Sequence, residues 1–139
     1  MRFGPAHAVP RLVTIHNLAF QGRFAADIFP ALGLPPEAWG VDGVEYYGGV
    51  GYLKAGLISA DAITTVSPTY AQEIRSPDHG MGLDGLINGR IARLHGILNG
   101  VDTDIWNPAG DPLIPRRFSG RSLGARAGNR RALEKAFGL

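Results

Sequence analysis

The apolar positions of this 139-residue chain fall in short blocks, each closed by glycine, proline or a polar turn. Leu12 to Ile15 is a β-branched run behind Pro10 and reads as a buried strand; it ends at His16-Asn17, and a loop carries on to Gly22. Ala26 to Leu34 fits a short helix closed by Gly33 and the Pro35-Pro36 pair. Trp39 to Gly51, rich in glycine and aromatic residues, reads as a loop. Tyr52 to Ala60 sets Leu53 and Leu57 four apart, the spacing of a packed helix. Gly56 in its middle costs helix propensity and so predicts close packing.

Ala62 to Val66 is the clearest strand. Ser67-Pro68 behind it predicts a helix start, Ser67 as N-cap and Pro68 in the first helical position, running to Arg75 and stopping before Pro77. Gly80 to Gly85 (GMGLDG) reads as a flexible loop, Leu86 to Arg93 as helical, and Leu94 to Leu98 as a third strand ending at Asn99-Gly100. Trp106 to Pro115 is turn-rich. Ser122 to Phe137 reads as a final helix with Ala132, Leu133, Ala136 and Phe137 on one face and Gly138 where a terminating glycine stands. Strand, helix, strand, helix, strand predicts an α/β fold with a parallel sheet and right-handed crossovers. Such sheets bind ligands beyond the carboxyl ends of their strands, which directs attention to His16-Asn17, Ser67-Pro68 and Asn99 to Asp102.

Composition narrows the picture. With 45% hydrophobic and 19% charged residues the chain is globular and long enough for one core. The absence of cysteine excludes disulfides, thiolate metal sites and a cysteine nucleophile. Net charge is only +2, but Arg116, Arg117, Arg121, Arg126, Arg130, Arg131 and Lys135 crowd the last quarter. They read as a solvated helix face and not a nucleic-acid surface, since no aromatic residues are interleaved for base stacking. No apolar run approaches the ~18 residues of a membrane span, and Met1 to Pro10 lacks the apolar core of a signal peptide.

Few residues carry chemistry by position. His16 and Asn17 directly follow a strand, where an imidazole and an amide would meet a ligand's hydroxyls; the bland alternative is that His16 bonds to loop backbone. Asn99-Gly100 by itself predicts a tight turn with Asn99 left-handed, and the functional alternative aims the Asn99 amide at a ligand. Asp102 reads as a cap for the turn toward Trp106. GMGLDG lacks the lysine of a phosphate loop. His7, His79 and His95 have no metal-ligand spacing, and no Gly-x-Ser-x-Gly elbow is present. Glu45, Asp61, Glu73 and Asp84 read as solvated carboxylates. A dinucleotide-dependent oxidoreductase is set aside, because no Gly-x-Gly-x-x-Gly follows a strand.

Longer wording goes further. Val13 to Gly22 (VTIHNLAFQG), Lys54 to Glu73 (KAGLISADAITTVSPTYAQE), Gly80 to Leu86 (GMGLDGL) and Gly96 to Pro108 (GILNGVDTDIWNP) resemble, in order and spacing, the signatures of bacterial glycogen and starch synthases. Asp111 to Ile114 and Asn129-Arg130 to Gly138-Leu139 are similar to the segment that enters the second half of those enzymes. The resemblance implies a GT-B architecture of two Rossmann-like domains around a cleft. Residues 1–115 would be the later part of the N-terminal domain, a partial Rossmann-like parallel sheet, and residues 116–139 a linker and helix leading to the C-terminal domain. It implies glucosyl transfer from ADP-glucose to the non-reducing end of an α-1,4-glucan, with retention, no metal and no cofactor. His16 matches the histidine beside the donor glucose, which helps to stabilise developing positive charge, partly through its backbone carbonyl. Asn17 matches the neighbouring asparagine that lines the donor site, and Asn99 the asparagine that contacts the donor sugar. Phe20 matches the aromatic residue before Gln-Gly, and Gln21 and Gly22 shape the loop.

The family's Lys-Thr-Gly-Gly-Leu loop, its phosphate-holding Arg and Lys pair and its glutamate motif have no counterpart in this chain. Gly128 stands where the family has an acidic residue. Met1 is followed at once by sequence from mid-domain, so the expectation is a piece of a larger enzyme, inactive alone, with uncovered sheet edges and poor solubility. The implied location is the bacterial cytoplasm, with a plastid as the alternative. The competing reading is a non-catalytic remnant that binds glucan or an intact synthase.

Overall fold

The computed structural model describes residues 9–139; His7 and residues 1–8 of the N-terminal stretch lie outside it. The chain forms two compact units, one reaching to Asn99 and one from Gly100 to Leu139.

The first unit is built on a parallel sheet of β1 (Leu12–Ile15), β5 (Ala62–Thr65) and β6 (Leu94–Gly96), in the order β1-β5-β6. Val13 pairs with Ile63 and Ile63 with Leu94, so these three share one sheet face. That face meets a core of Ile15, Leu18, Tyr46, Leu57, Ala60, Ile63, Ile74, Leu83 and Ile87. The expectation that Leu12 to Ile15 is a buried strand holds only for its end. Among the described residues β1 is an edge strand, with Leu12 63% and Ile15 1% exposed.

Helix α1 (Tyr52–Ser59) has no side-chain cap. Its leading N–H groups are satisfied by the loop after β1 instead: Tyr52 N–H donates to Gly22 O at 3.0 Å and Leu53 N–H to Gln21 O at 3.1 Å. Gly56 faces the sheet, where an added Cβ would stand 3.6 Å from Val13 Cγ2. Ala26–Leu32 is a 3₁₀ helix stopped by left-handed Gly33, close to the helix expected there.

Trp39 to Gly51 is not simply a loop. It contains β3 (Glu45–Tyr46) and β4 (Gly49–Gly51), which with β2 (Arg23–Phe24) form an antiparallel sheet in the order β2-β4-β3. Tyr47 and Gly48, both at positive φ (47° and 76°), make the tight hairpin turn. Strands of two or three residues show no alternation, which hid them in the sequence. The Lys54 ammonium donates to Glu45 O at the hairpin's base. Burial pushes that ammonium below the ordinary lysine range, against the pull of Glu45 and Asp42. Tyr46 donates from its hydroxyl to Met81 O at 2.5 Å. Tyr46→Phe removes that bond, and we expect about 1 kcal/mol lost, read as a lower thermal or urea midpoint.

GMGLDG is likewise ordered, not a flexible loop. It joins α3 (Pro77–Gly80) to α4 (Asp84–Gly89). An added Cβ at Gly80 would stand 2.5 Å from Asp84 Cβ, and at Gly82 2.2 Å from the Tyr47 hydroxyl. These glycines permit close approach. The helix expected over Leu86 to Arg93 is α4 followed by a single 3₁₀ turn, Ile91–Arg93.

In the second unit, Asp102 Oδ1 accepts from Asp104 N–H and Ile105 N–H, both at 3.0 Å, the cap its position predicts. Helix α5 (Arg126–Phe137) ends at left-handed Gly138, following a 3₁₀ turn over Leu123–Ala125. Asn129 brackets the Arg116 backbone, accepting from its N–H at 2.7 Å and donating to its carbonyl at 2.8 Å. Gly128 makes room for this, since an added Cβ would stand 2.6 Å from Arg116 Cγ. All seven basic residues of this stretch are exposed, and Arg130 pairs with Glu134 at 2.7 Å. The expected apolar face of α5 is not buried within the unit; with Ile114, Phe118 and Leu123, residues Ala132, Leu133 and Ala136 line an open groove.

Candidate functional site

The carboxyl ends of β1, β5 and β6 stand in register. Ile15 pairs with Thr65 and Thr65 with Gly96. Ile97 N–H donates to Thr65 O at 2.8 Å, carrying the ladder one residue further. Adjacent strands lie ~4.8 Å apart, so the ends of β1 and β6 are about 10 Å from each other across β5. His16 and Asn17 leave the sheet from β1, and Asn99 stands three residues beyond β6. His16 and Asn17 thus leave the carboxyl edge of the sheet directly, Asn99 follows three residues after the same edge, and all three are exposed.

His16 makes no side-chain hydrogen bond to a described residue, so the reading in which it merely bonds to loop backbone does not hold. Asn17 bends the chain behind it: its Oδ1 accepts from Ala19 N–H at 2.9 Å and its carbonyl from Phe20 N–H at 3.2 Å. Asn99 is not left-handed; among the described non-glycine residues only Tyr47 and Met81 have positive φ. The chain passes through Asn99-Gly100 without a turn, and the Asn99 amide bonds no described residue. The tight-turn expectation thus gives way to an exposed, unengaged carboxamide.

The middle of the edge is the junction of β5 with α2 (Pro68–Glu73). Ser67 Oγ accepts from Tyr70 N–H at 2.9 Å, the N-cap its sequence predicts. Ser67→Ala should cost about 1 kcal/mol, measurable as a lowered unfolding midpoint. This junction lies directly on β6: a Cβ added to Gly96 would stand 2.4 Å from both Ser67 O and Pro68 Cα. Downstream of His16, the Tyr70 hydroxyl accepts from Leu18 N–H at 2.8 Å, and Gln21 Nε2 donates to Leu18 O at 2.5 Å. Gln21 and Gly22 thus shape the loop as expected, with Gly22 at φ 58° against Tyr52. Tyr70 was missed in the sequence because its partner lies 52 residues away. Among the described residues no cluster of His, Asp or Glu is arranged to hold a metal ion.

Comparison with known proteins places this geometry. A family model described as the starch synthase catalytic domain matches residues 2–89. Glycogen synthase of Novosphingobium aromaticivorans is 61% identical over the whole chain, and that of Mesorhizobium japonicum 62% identical. The chain spans about 29% of the length of each. Among solved structures, the catalytic domain of starch synthase IV from Arabidopsis thaliana, bound to ADP and acarbose, superposes with a TM-score of 0.70 at 36% identity. That match covers 94% of this chain and 27% of the other. The chain belongs to the starch synthase catalytic-domain family, and its parallel sheet is a part of the Rossmann-like frame of a GT-B glycosyltransferase. No helix among the described residues is long and apolar enough to cross a membrane.

Proposed function

We propose that this chain supplies part of the donor site of an α-glucan synthase that moves glucose from ADP-glucose to the non-reducing end of an α-1,4-glucan, with retention at the anomeric carbon. The observation that carries this reading is that His16, Asn17 and Asn99 all follow the carboxyl edge of one parallel sheet, exposed and, at His16 and Asn99, unengaged. A hexose needs fixed donors and acceptors around its hydroxyls, and carboxamides at strand ends provide them. Bond cleavage at the anomeric carbon develops positive charge on the sugar. A preorganised dipole such as the His16 backbone carbonyl would stabilise that charge without reorganising. The ADP and acarbose named with the Arabidopsis structure support a nucleotide-sugar donor and a glucan acceptor. In this reading residues 1–115 belong to the N-terminal Rossmann-like domain and residues 116–139 lead to the second. The bacterial origin of the relatives supports a cytoplasmic location.

The test is ADP release from ADP-glucose in the presence of glycogen. One sample is residues 1–139 alone. The other is the same residues set into the Novosphingobium aromaticivorans enzyme in place of its matching 29%. We expect release only from the completed enzyme, and the same rate in EDTA, because the proposed chemistry uses no metal. A completed enzyme that is folded but silent would favour the binding-remnant reading instead.

A further inference from the structure

We propose that Tyr70 is a positioning residue, which holds the His16-Asn17 loop in its working geometry through the hydrogen bond that its hydroxyl accepts from Leu18 N–H. This inference rests on the glucosyl-transfer reading of the His16 edge.

The far end of the loop behind β1 is bonded to α1 through Gln21 O and Gly22 O, and residues 16–20 otherwise bond within the loop. Ala19 N–H and Phe20 N–H bond to Asn17, and Gln21 N–H bonds to Ala19 O. Across residues 16–20, the Tyr70 hydroxyl makes the one hydrogen bond that comes from outside the loop, among the described residues. Leu18 is 1% exposed, so its N–H has no ready access to water as a substitute partner. Its carbonyl is held in turn by Gln21 Nε2 at 2.5 Å, which leaves the Leu18 peptide fixed at both polar atoms.

The other end of the tether is equally fixed. Tyr70 packs against the hydrophobic core, and its N–H is capped by Ser67 Oγ at 2.9 Å. Ser67 and Pro68 in turn lie against Gly96 of β6. The hydroxyl therefore ties the end of β1 to the junction after β5, and that junction is already seated on β6. Without the tether, the register would still align the strands and the Leu18 side chain would still sit in the core, but the Leu18 N–H would lose the bond that sets the backbone's orientation two residues after His16. Displacing a reacting group by ~1 Å can cost about 100-fold in rate.

The test uses the completed enzyme described above and measures kcat, donor KM, Tm and amide hydrogen exchange over residues 16–21. Tyr70→Phe keeps the packed ring and deletes only the hydroxyl. Tyr46→Phe is the matched control: the same change in the same core, breaking a bond to Met81 O instead. We expect Tyr70→Phe to lower kcat by about 10- to 100-fold with little change in donor KM, and to speed exchange over residues 16–21. Tyr46→Phe should lower Tm to a similar degree while leaving kcat and that exchange unchanged. Native kcat in Tyr70→Phe, or equal losses in both variants, would overturn the proposal. If the unaltered enzyme transfers no glucose, the transferase reading and the tether's catalytic use both fail; the exchange data then still decide whether the tether orders the loop.

Discussion

Gly96→Ala should destabilise the protein by about 3 kcal/mol or more, at or beyond the upper end of the usual overpacking range. The new methyl would stand 2.4 Å from Ser67 O and Pro68 Cα and 2.6 Å from Pro68 N. These are backbone atoms of a capped helix start, so no side-chain rotation relieves the clash. Either β6 moves away from β5, breaking the Thr65–Gly96 pairing, or the β5–α2 junction lifts and carries Tyr70 with it. Gly100→Ala is the contrast: nothing lies within 4 Å of its added Cβ and its φ is not positive, so its unfolding midpoint should stay close to that of the unaltered protein. Denaturant unfolding of the two variants in the completed enzyme checks this. Equal midpoints would mean that the junction does not rest on β6.

His16→Ala deletes the imidazole and keeps the backbone carbonyl; losing that preorganised side chain beside the donor glucose should lower kcat of the completed enzyme by about 10²- to 10³-fold. The structural consequence should be small. The His16 ring is exposed and bonds no described residue, so its removal strands no buried partner and opens no cavity. Activity and stability are thereby separated. A large kcat loss at unchanged Tm places His16 in the chemistry. A Tm loss that accounts for the activity loss would make it a structural residue, and unchanged kcat would remove its side chain from the chemistry.

The features that were legible in the sequence are local ones. β-branched runs marked β1 and β5, Ser67-Pro68 marked a helix start, and Asp102 marked its own turn, because each depends on neighbours a few residues away. The antiparallel sheet was not legible: its strands are two or three residues long and rely on glycines for close approach. A Cβ at Gly49 would stand 2.3 Å from Phe24 O, a contact that no local pattern encodes. Asn99-Gly100 misled for the opposite reason, since a strong turn signal was overridden where the chain passes from one compact unit to the next. In the candidate site, the placing of His16 and Asn17 directly after β1 was legible, whereas β6 ends at Gly96 and not beside Asn99 as its apolar run suggested. The register that aligns the ends of β1, β5 and β6, and the Tyr70 hydroxyl reaching 52 residues back, were set by tertiary pairing and left no sequence signal.

We propose that this edge serves α-1,4-glucosyl transfer. It is tested most directly by supplying the completed enzyme with radiolabelled ADP-glucose and glycogen, then digesting the product with an exo-acting amylase that cuts α-1,4 bonds from non-reducing ends. The account predicts label in the glucan and its release as maltose. No incorporation by a folded enzyme, or label that resists the amylase, would contradict it.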